Sequence, residues 1–368
     1  MLRCFRPVYL VFLLLWLVSA CSQPLQSSAQ QAEVVSSIRE HYEDRLSELP
    51  LSLQRHYAQR LYRMTGDEVF LPYNHYYAQQ LITTLRRDLD YLAEDPDYLL
   101  QHDLALLQSR SLRTVRQRQR VELLQAHPGM TFATDLVFRM IQLDYYGLLD
   151  SALGERSEQG FELLAPLPFE AFVLSEEAVR HYAAQAANLV WFLQQLGVTD
   201  LREPFLARFQ SIYPHDRDNL LSPQEYHNKI YGMTHIVIAA SRYYQDTLPS
   251  DTFPWITDYF IDQLPRLLET ATEDILAEVG ISLALTDHID HPAIGQLRQA
   301  LTAAYDSDAR MIPSPQGSTD VARGEHRNVL AVMLLSWPEE LYPGPRIDPK
   351  MLEEFRYSQP VSAPEVEY

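Results

Sequence analysis

The stretch SPQEYHNKIYGMTHIVIAA, residues 222–240, opens polar and closes apolar, and its reading decides the fold. Ser222 with Glu225 three positions on fits a capping box. Pro223 suits the first helical position, where a missing N–H costs nothing. From 236 to 240 no polar residue interrupts, so the last turns present no face suited to water. Such a helix must be surrounded by other helices. Two more segments share the pattern: 275–285, broken only by Glu278 and Ser282, and 329–335.

Other helices read as amphipathic. Val179, Tyr182, Ala186, Leu189 and Leu193 mark one face of a helix whose other side carries His181, Gln185 and Gln194. Start signals recur at Asp95-Pro96, at Thr270-Ala271-Thr272-Glu273 (a second capping box) and at Asp290-His291-Pro292. Stops fall at Thr65-Gly66-Asp67, Gly197-Val198-Thr199-Asp200 and Trp337-Pro338. No alternating strand emerges between 34 and 337, so the class is all-α. Surrounded and half-exposed helices joined by short turns predict helix pairs in an α/α-toroid or superhelical array. Gly129-Met130-Thr131 with Arg139, echoed by Gly232-Met233-Thr234 with Arg242, hints at an internal repeat.

The ends carry different information. Arg3 and Arg6 precede an apolar run, 8–18, too short to span a bilayer, and Val18-Ser19-Ala20-Cys21 looks like the lipobox of secreted lipoproteins. That likeness implies a signal peptide at 1–20, a diacylglyceryl group on Cys21 and a membrane as partner. Ser22 after the Cys implies outer-membrane anchoring on the periplasmic face. Residues 21–32 read as a flexible tether, 33–337 as one all-helical domain and 338–368 as a Pro-rich, acidic tail, disordered from Ser358.

Of 368 residues, 348 would remain after cleavage, with net charge moving from −19 to −21 as Arg3 and Arg6 leave. That charge repels nucleic acid and anionic polysaccharide unless a local basic patch overrides it. Cys4 leaves with the signal and Cys21 is acylated, so thiolate catalysis and disulfides are excluded. No phosphate-binding glycine loop and no Gly-x-Ser-x-Gly elbow occurs.

The candidate site lies where the surrounded helices begin. His227, Tyr231 and His235 recur at offsets of four, as do Asp274, Glu278 and Ser282, while Glu325-His326-Arg327-Asn328 opens the third helix. If the three line one centre, their polar starts converge at its mouth. His235, Glu278 and His326 then form either an acid–base set, with Glu278 raised in proton affinity by burial, or a zinc site with an open position. His227 and His235, about 12 Å apart along the helix, cannot share one ion. Pairing of Glu278 with Arg242, Arg323 or Arg327 is the purely structural alternative. Asp287-His288-Ile289-Asp290-His291 reads as a loop with Asp290 capping the next helix. Arg113, Arg116 and Arg120 read as a solvated face able to meet lipid phosphates.

The lipobox together with His227-Asn228-Lys229-Ile230-Tyr231-Gly232-Met233-Thr234-His235 resembles a group of proteobacterial lipoproteins that share a domain of unknown function. That resemblance implies no reaction and assigns no residue. Two functions are expected: a glycan-processing lyase or hydrolase using His235, Glu278 and His326 with His227 and Tyr231, or a non-catalytic module binding an envelope protein or peptide.

Overall fold

The fold is taken from a computed structural model, which describes residues 23–95 and 97–355. Signal peptide, lipobox, Cys21 and the segment from Ser358 lie outside the described residues. Among those described, the chain is helical throughout, with one isolated bridge between Asp306 and Met311. No described helix is long and apolar enough to cross a membrane.

In chain order the helices are α1 (Gln23–Glu43), α2 (Leu51–Thr65), α3 (Leu71–Glu94), α4 (Tyr98–Ser109), α5 (Val115–Gln125) and α6 (Met130–Tyr146). There follow α7 (Leu149–Leu153), α8 (Glu155–Leu164), α9 (Phe169–Val173), α10 (Glu176–Gln195), α11 (Arg202–Ile212) and α12 (Pro223–Ala240). The last six are α13 (Pro254–Asp262), α14 (Leu264–Thr270), α15 (Glu273–Leu285), α16 (Pro292–Ala303), α17 (Val321–Leu335) and α18 (Pro349–Phe355).

Helix boundaries follow local chemistry. Ser222 accepts from the Glu225 N–H, and Glu225 answers to the Ser222 N–H, so the expected capping box forms. Gly66 and Gly197 take the left-handed φ that ends their helices. Two expectations are corrected. Thr272 precedes α15 but makes no side-chain cap bond, and Glu273 turns toward Arg327 instead. His291, not Asp290, caps α16, its Nδ1 accepting from the Ala293 N–H. The segment read as a tether also differs: from Gln23 it is helical, because Val34, Ile38 and Tyr42 bury one face of α1 beneath α16 and α17.

Six helices pack in a cycle. α17 lies against α2 and α15, α15 against α12, α12 against α10, and α10 against α6. The cycle closes between α6 and α2, where Gln59 donates to Gln142 and the guanidiniums of Arg55 and Arg63 face Phe138 and Tyr145. Partners ascend together in successive pairs: Arg55 with Phe138 and Arg63 with Tyr145, then Asn188 with His235 and Gln195 with Ala239, then Tyr231 with Asp274 and Thr234 with Glu278. These neighbours therefore run parallel, and the chain must return outside the cycle between them. α3, α11 and α16 do so, packed on α2, α10 and α15, while α1 covers α17.

α10 is amphipathic as expected: Val179, Tyr182, Ala186, Leu189 and Leu193 are buried, whereas Glu176 and Glu177 are exposed and His181, Gln185 and Gln194 partly so. Asn188, on the same polar side, bonds His235 of α12. The Gly-Met-Thr echo has no structural counterpart: Gly129 precedes α6 in a left-handed turn, whereas Gly232 sits inside α12. Gly232 lets α12 approach α10, since a Cβ there would stand 2.9 Å from the Ala183 Cβ and 2.5 Å from the Phe209 ring. Gly232→Ala is expected to cost about 1–3 kcal/mol by overpacking, read as a lower urea midpoint with unchanged slope.

One end of the cycle is floored. Arg242, Tyr243 and Tyr244 all take positive φ after α12, a conformation that costs of order 1–3 kcal/mol per non-glycine residue. Arg63, fully buried, holds this turn: its Nη1 donates to the Tyr243 carbonyl at 2.7 Å and its Nε to the Gly344 carbonyl at 2.7 Å. The Pro-rich segment after Trp337 runs beneath, with Tyr342 N–H on the Arg63 carbonyl and Ile347 N–H on that of Tyr146.

Candidate functional site

The polar beginnings of the cyclic helices meet inside it. His235 on α12 and His326 on α17 both turn Nε2 toward Oε1 of Glu278 on α15, at 3.6 and 3.5 Å. Thr234 donates to the other Glu278 oxygen at 2.7 Å. His235 Nδ1 donates to the Asn188 amide oxygen at 2.9 Å, which fixes the ring's orientation. On the far side, His326 Nδ1 lies 3.3 Å from His56 Nε2, and His56 Nδ1 lies 2.8 Å from the Glu325 carboxyl. A continuous row results: Asn188, His235, Glu278, His326, His56, Glu325. Tyr231 donates to Asp274 beside it.

The row is buried at its carboxylates and open at its histidines. Glu278 and Glu325 are 1% and 0% exposed, whereas 41% of the His326 side chain is accessible. Water therefore reaches the His326 imidazole while the carboxyls on either side of it stay covered. Arg116 stands over the Tyr231 ring, and Arg120 over Tyr182 while bonding Gln185. Two arginines of the face read as solvated are thus packed on rings of α12 and α10.

The two carboxyls are perturbed in opposite directions. Burial works against ionisation of Glu278, but His235 and His326 overcome it and hold its proton affinity well below the carboxylate range. Burial raises Glu325 to about 7, with Arg60, His326 and Arg55 only partly opposing. Burial likewise lowers His56, helped by Arg60 and His326, so that it stays neutral. His326 is raised despite burial, because Glu278 pairs with its charged form. A charged His326 gives its Nδ1 hydrogen to His56 Nε2, which leaves His56 to donate from Nδ1 to Glu325. Separated proton affinities on linked groups are what acid–base chemistry needs.

Several expectations change here. Glu278 was expected to gain a proton on burial; its two imidazoles reverse that, and Glu325 is the raised carboxyl. None of the three arginines named as structural partners touches Glu278: Arg327 pairs with Glu273 and Arg242 with Asp246. Burial and the flanking Asp274 and Glu278 push the Tyr231 hydroxyl far up, so it keeps its proton. His227 stays outside the row, bonded at the rim to the Thr270 carbonyl. The rest of its motif is structural: Asn228 ties α12 to α10 through the Val179 and Arg180 carbonyls, and buried Lys229 pairs with Asp218. Among the described residues no group of three His, Cys, Asp or Glu side chains could hold a metal ion. His56 and Asn188 escaped sequence reading altogether.

Glu325 also makes stability depend on pH. Its proton affinity is higher folded than unfolded, so its contribution is complete below about pH 4.5 and lost as pH rises through 7. Between pH 4.5 and 8 the stability of Glu325→Gln should therefore gain about 3 kcal/mol on that of the wild type. Urea unfolding at both pH values checks this; parallel pH curves would contradict it.

Residues 31–360 match the family model for DUF3541, a domain of unknown function, and the chain belongs to that family. Neither the curated proteins nor the solved structures give a significant match.

Proposed function

We propose that the protein is a lipid-anchored periplasmic enzyme of outer-membrane location, built on an α/α-toroid and processing a glycan by acid–base catalysis. The cyclic packing of six parallel helices with return helices outside supports the toroid, and the lipobox supports the anchor. The observation that carries the reaction class is the row Glu278–His326–His56–Glu325, with an accessible imidazole between carboxyls of opposite proton affinity.

His326 meets the substrate and passes the proton. Glu278 is a positioning residue, its oxygens held by Thr234 and two imidazoles, and it keeps His326 charged. Glu325 ends the row: its carboxyl accepts the His56 Nδ1 hydrogen, which keeps His56 neutral with Nε2 open to the His326 Nδ1 hydrogen. Tyr231 and His235 complete the wall, their hydrogens held by Asp274 and Asn188. A binding module that only encloses a peptide has no need of this row. The test is a screen of the full chain against bacterial and algal glycans, read by reducing ends for hydrolysis and by unsaturated-product absorbance for elimination. Turnover that His326→Asn removes supports the reading. Turnover indifferent to His326, or none across the screen, sinks it.

A further inference from the structure

Four arginines of the helices around the row, Arg55, Arg60, Arg116 and Arg120, pack on aromatic rings with no salt bridge to a carboxylate among the described residues. The local carboxyls are otherwise engaged: Glu278 by His235 and His326, Glu325 by His56, Glu273 by Arg327 and Asp274 by Tyr231. Arg55 and Arg60 are the sharpest cases. They are 9% and 6% exposed, and the Nε of each is buried without a hydrogen-bond partner. Arg55 packs on the rings of Tyr77 and Phe138 with its Nη1 3.5 Å from the Gln59 amide oxygen, and Arg60 lies over the Tyr244 ring, bonding that side chain and, through Nη1, the His56 carbonyl. Both lower the proton affinity of His56 and of Glu325, which places their charge beside the row.

A buried guanidinium without a counter-charge costs several kcal/mol unless something anionic completes it. Glu325 does not serve, because it holds its own proton near neutral pH. Aromatic faces and the bonds to Gln59 and the His56 carbonyl offset part of the cost but supply no negative charge. The chain as a whole carries −19, so four unpaired arginines around one cavity run against its composition. They form the local basic patch that lets such a chain accept an anion.

Resting on the proposed reading of this interior as a glycan site, we infer that it recognises an acidic sugar: Arg55 and Arg60 bind the carboxylate of a uronate residue beside His326, and Arg116 and Arg120 draw the acidic chain to the mouth. A planar carboxylate accepts two parallel N–H bonds from a guanidinium, a match that a neutral hydroxymethyl group lacks.

The experiment is calorimetric titration of the full chain with oligomers of galacturonate, glucuronate, mannuronate and guluronate, each beside its carboxyl-reduced neutral counterpart. At least one uronate oligomer should bind, and carboxyl reduction should weaken it by about tenfold or more. Sodium sulfate should displace the acidic oligomer more effectively than sodium chloride of equal ionic strength. Arg60→Met should lose the acidic preference and Arg60→Lys keep part of it; if Arg60→Met fails to fold, the wild-type comparison of acidic and reduced oligomers decides alone. Equal binding of acidic and reduced oligomers overturns the inference, as does binding of sulfate with no uronate. Charge-dependent binding without turnover would sink the catalytic reading and leave this one standing. Turnover of a neutral glycan with no acidic preference would do the reverse.

Discussion

His326→Asn is expected to lower kcat on the cognate glycan by roughly 10²–10⁴-fold, the usual worth of a positioned proton donor, with little change in KM. His326 is the accessible member of the row, its Nδ1 beside His56 and its Nε2, at 3.5 Å only loosely held by Glu278, the atom left to pass a proton. Asparagine keeps polarity and a similar reach but cannot carry the proton. The companion substitution Glu278→Gln should act differently. It removes the negative charge that raises His326, so the pH–rate limb belonging to His326 should move to lower pH while activity at the acidic side persists. A pH–rate profile for each variant distinguishes them. Unchanged kcat in His326→Asn, or an unmoved limb in Glu278→Gln, would remove the row from the mechanism.

Arg63→Met should cost about 3–5 kcal/mol of stability, the scale for removing one partner of a buried charged network. The guanidinium is 1% exposed, packs over the Tyr145 ring and donates to two carbonyls that nothing else reaches. Burial has already lowered it to about 10, so its charged form is retained at a cost that the two bonds offset. Methionine fills much of the volume but donates nothing, leaving the Tyr243 and Gly344 carbonyls unpaired. Three left-handed residues would then lose the clamp that holds them. Denaturant midpoints measure the loss, and protease sensitivity between 242 and 245 locates it. A loss below about 1 kcal/mol would show the floor to be held by its neighbours instead.

Much of this was written in the chain, and the exceptions are instructive. Polar starts on otherwise apolar helices identified the surrounded class, and spacing by four put Glu278 and His235 on inward faces. Partners across the cycle were invisible to spacing. His56 lies in the sequence Gln54-Arg55-His56-Tyr57, which reads like any solvated helix surface, because charges lining an interior and charges facing bulk water share one pattern. The direction of the Glu278 shift was lost because burial can be guessed from neighbours in the chain, whereas two imidazoles on other helices cannot.

Closure between the second helix and the seventeenth has a temporal consequence. His56 belongs to the first sixth of the polypeptide, yet the two groups it touches stand at 325 and 326. A ribosome finishes nearly the whole message before those groups can meet, and the segment that seals the underside emerges later still. Until residues 325 and 326 have been added, His56 therefore lacks both partners and the row is not assembled.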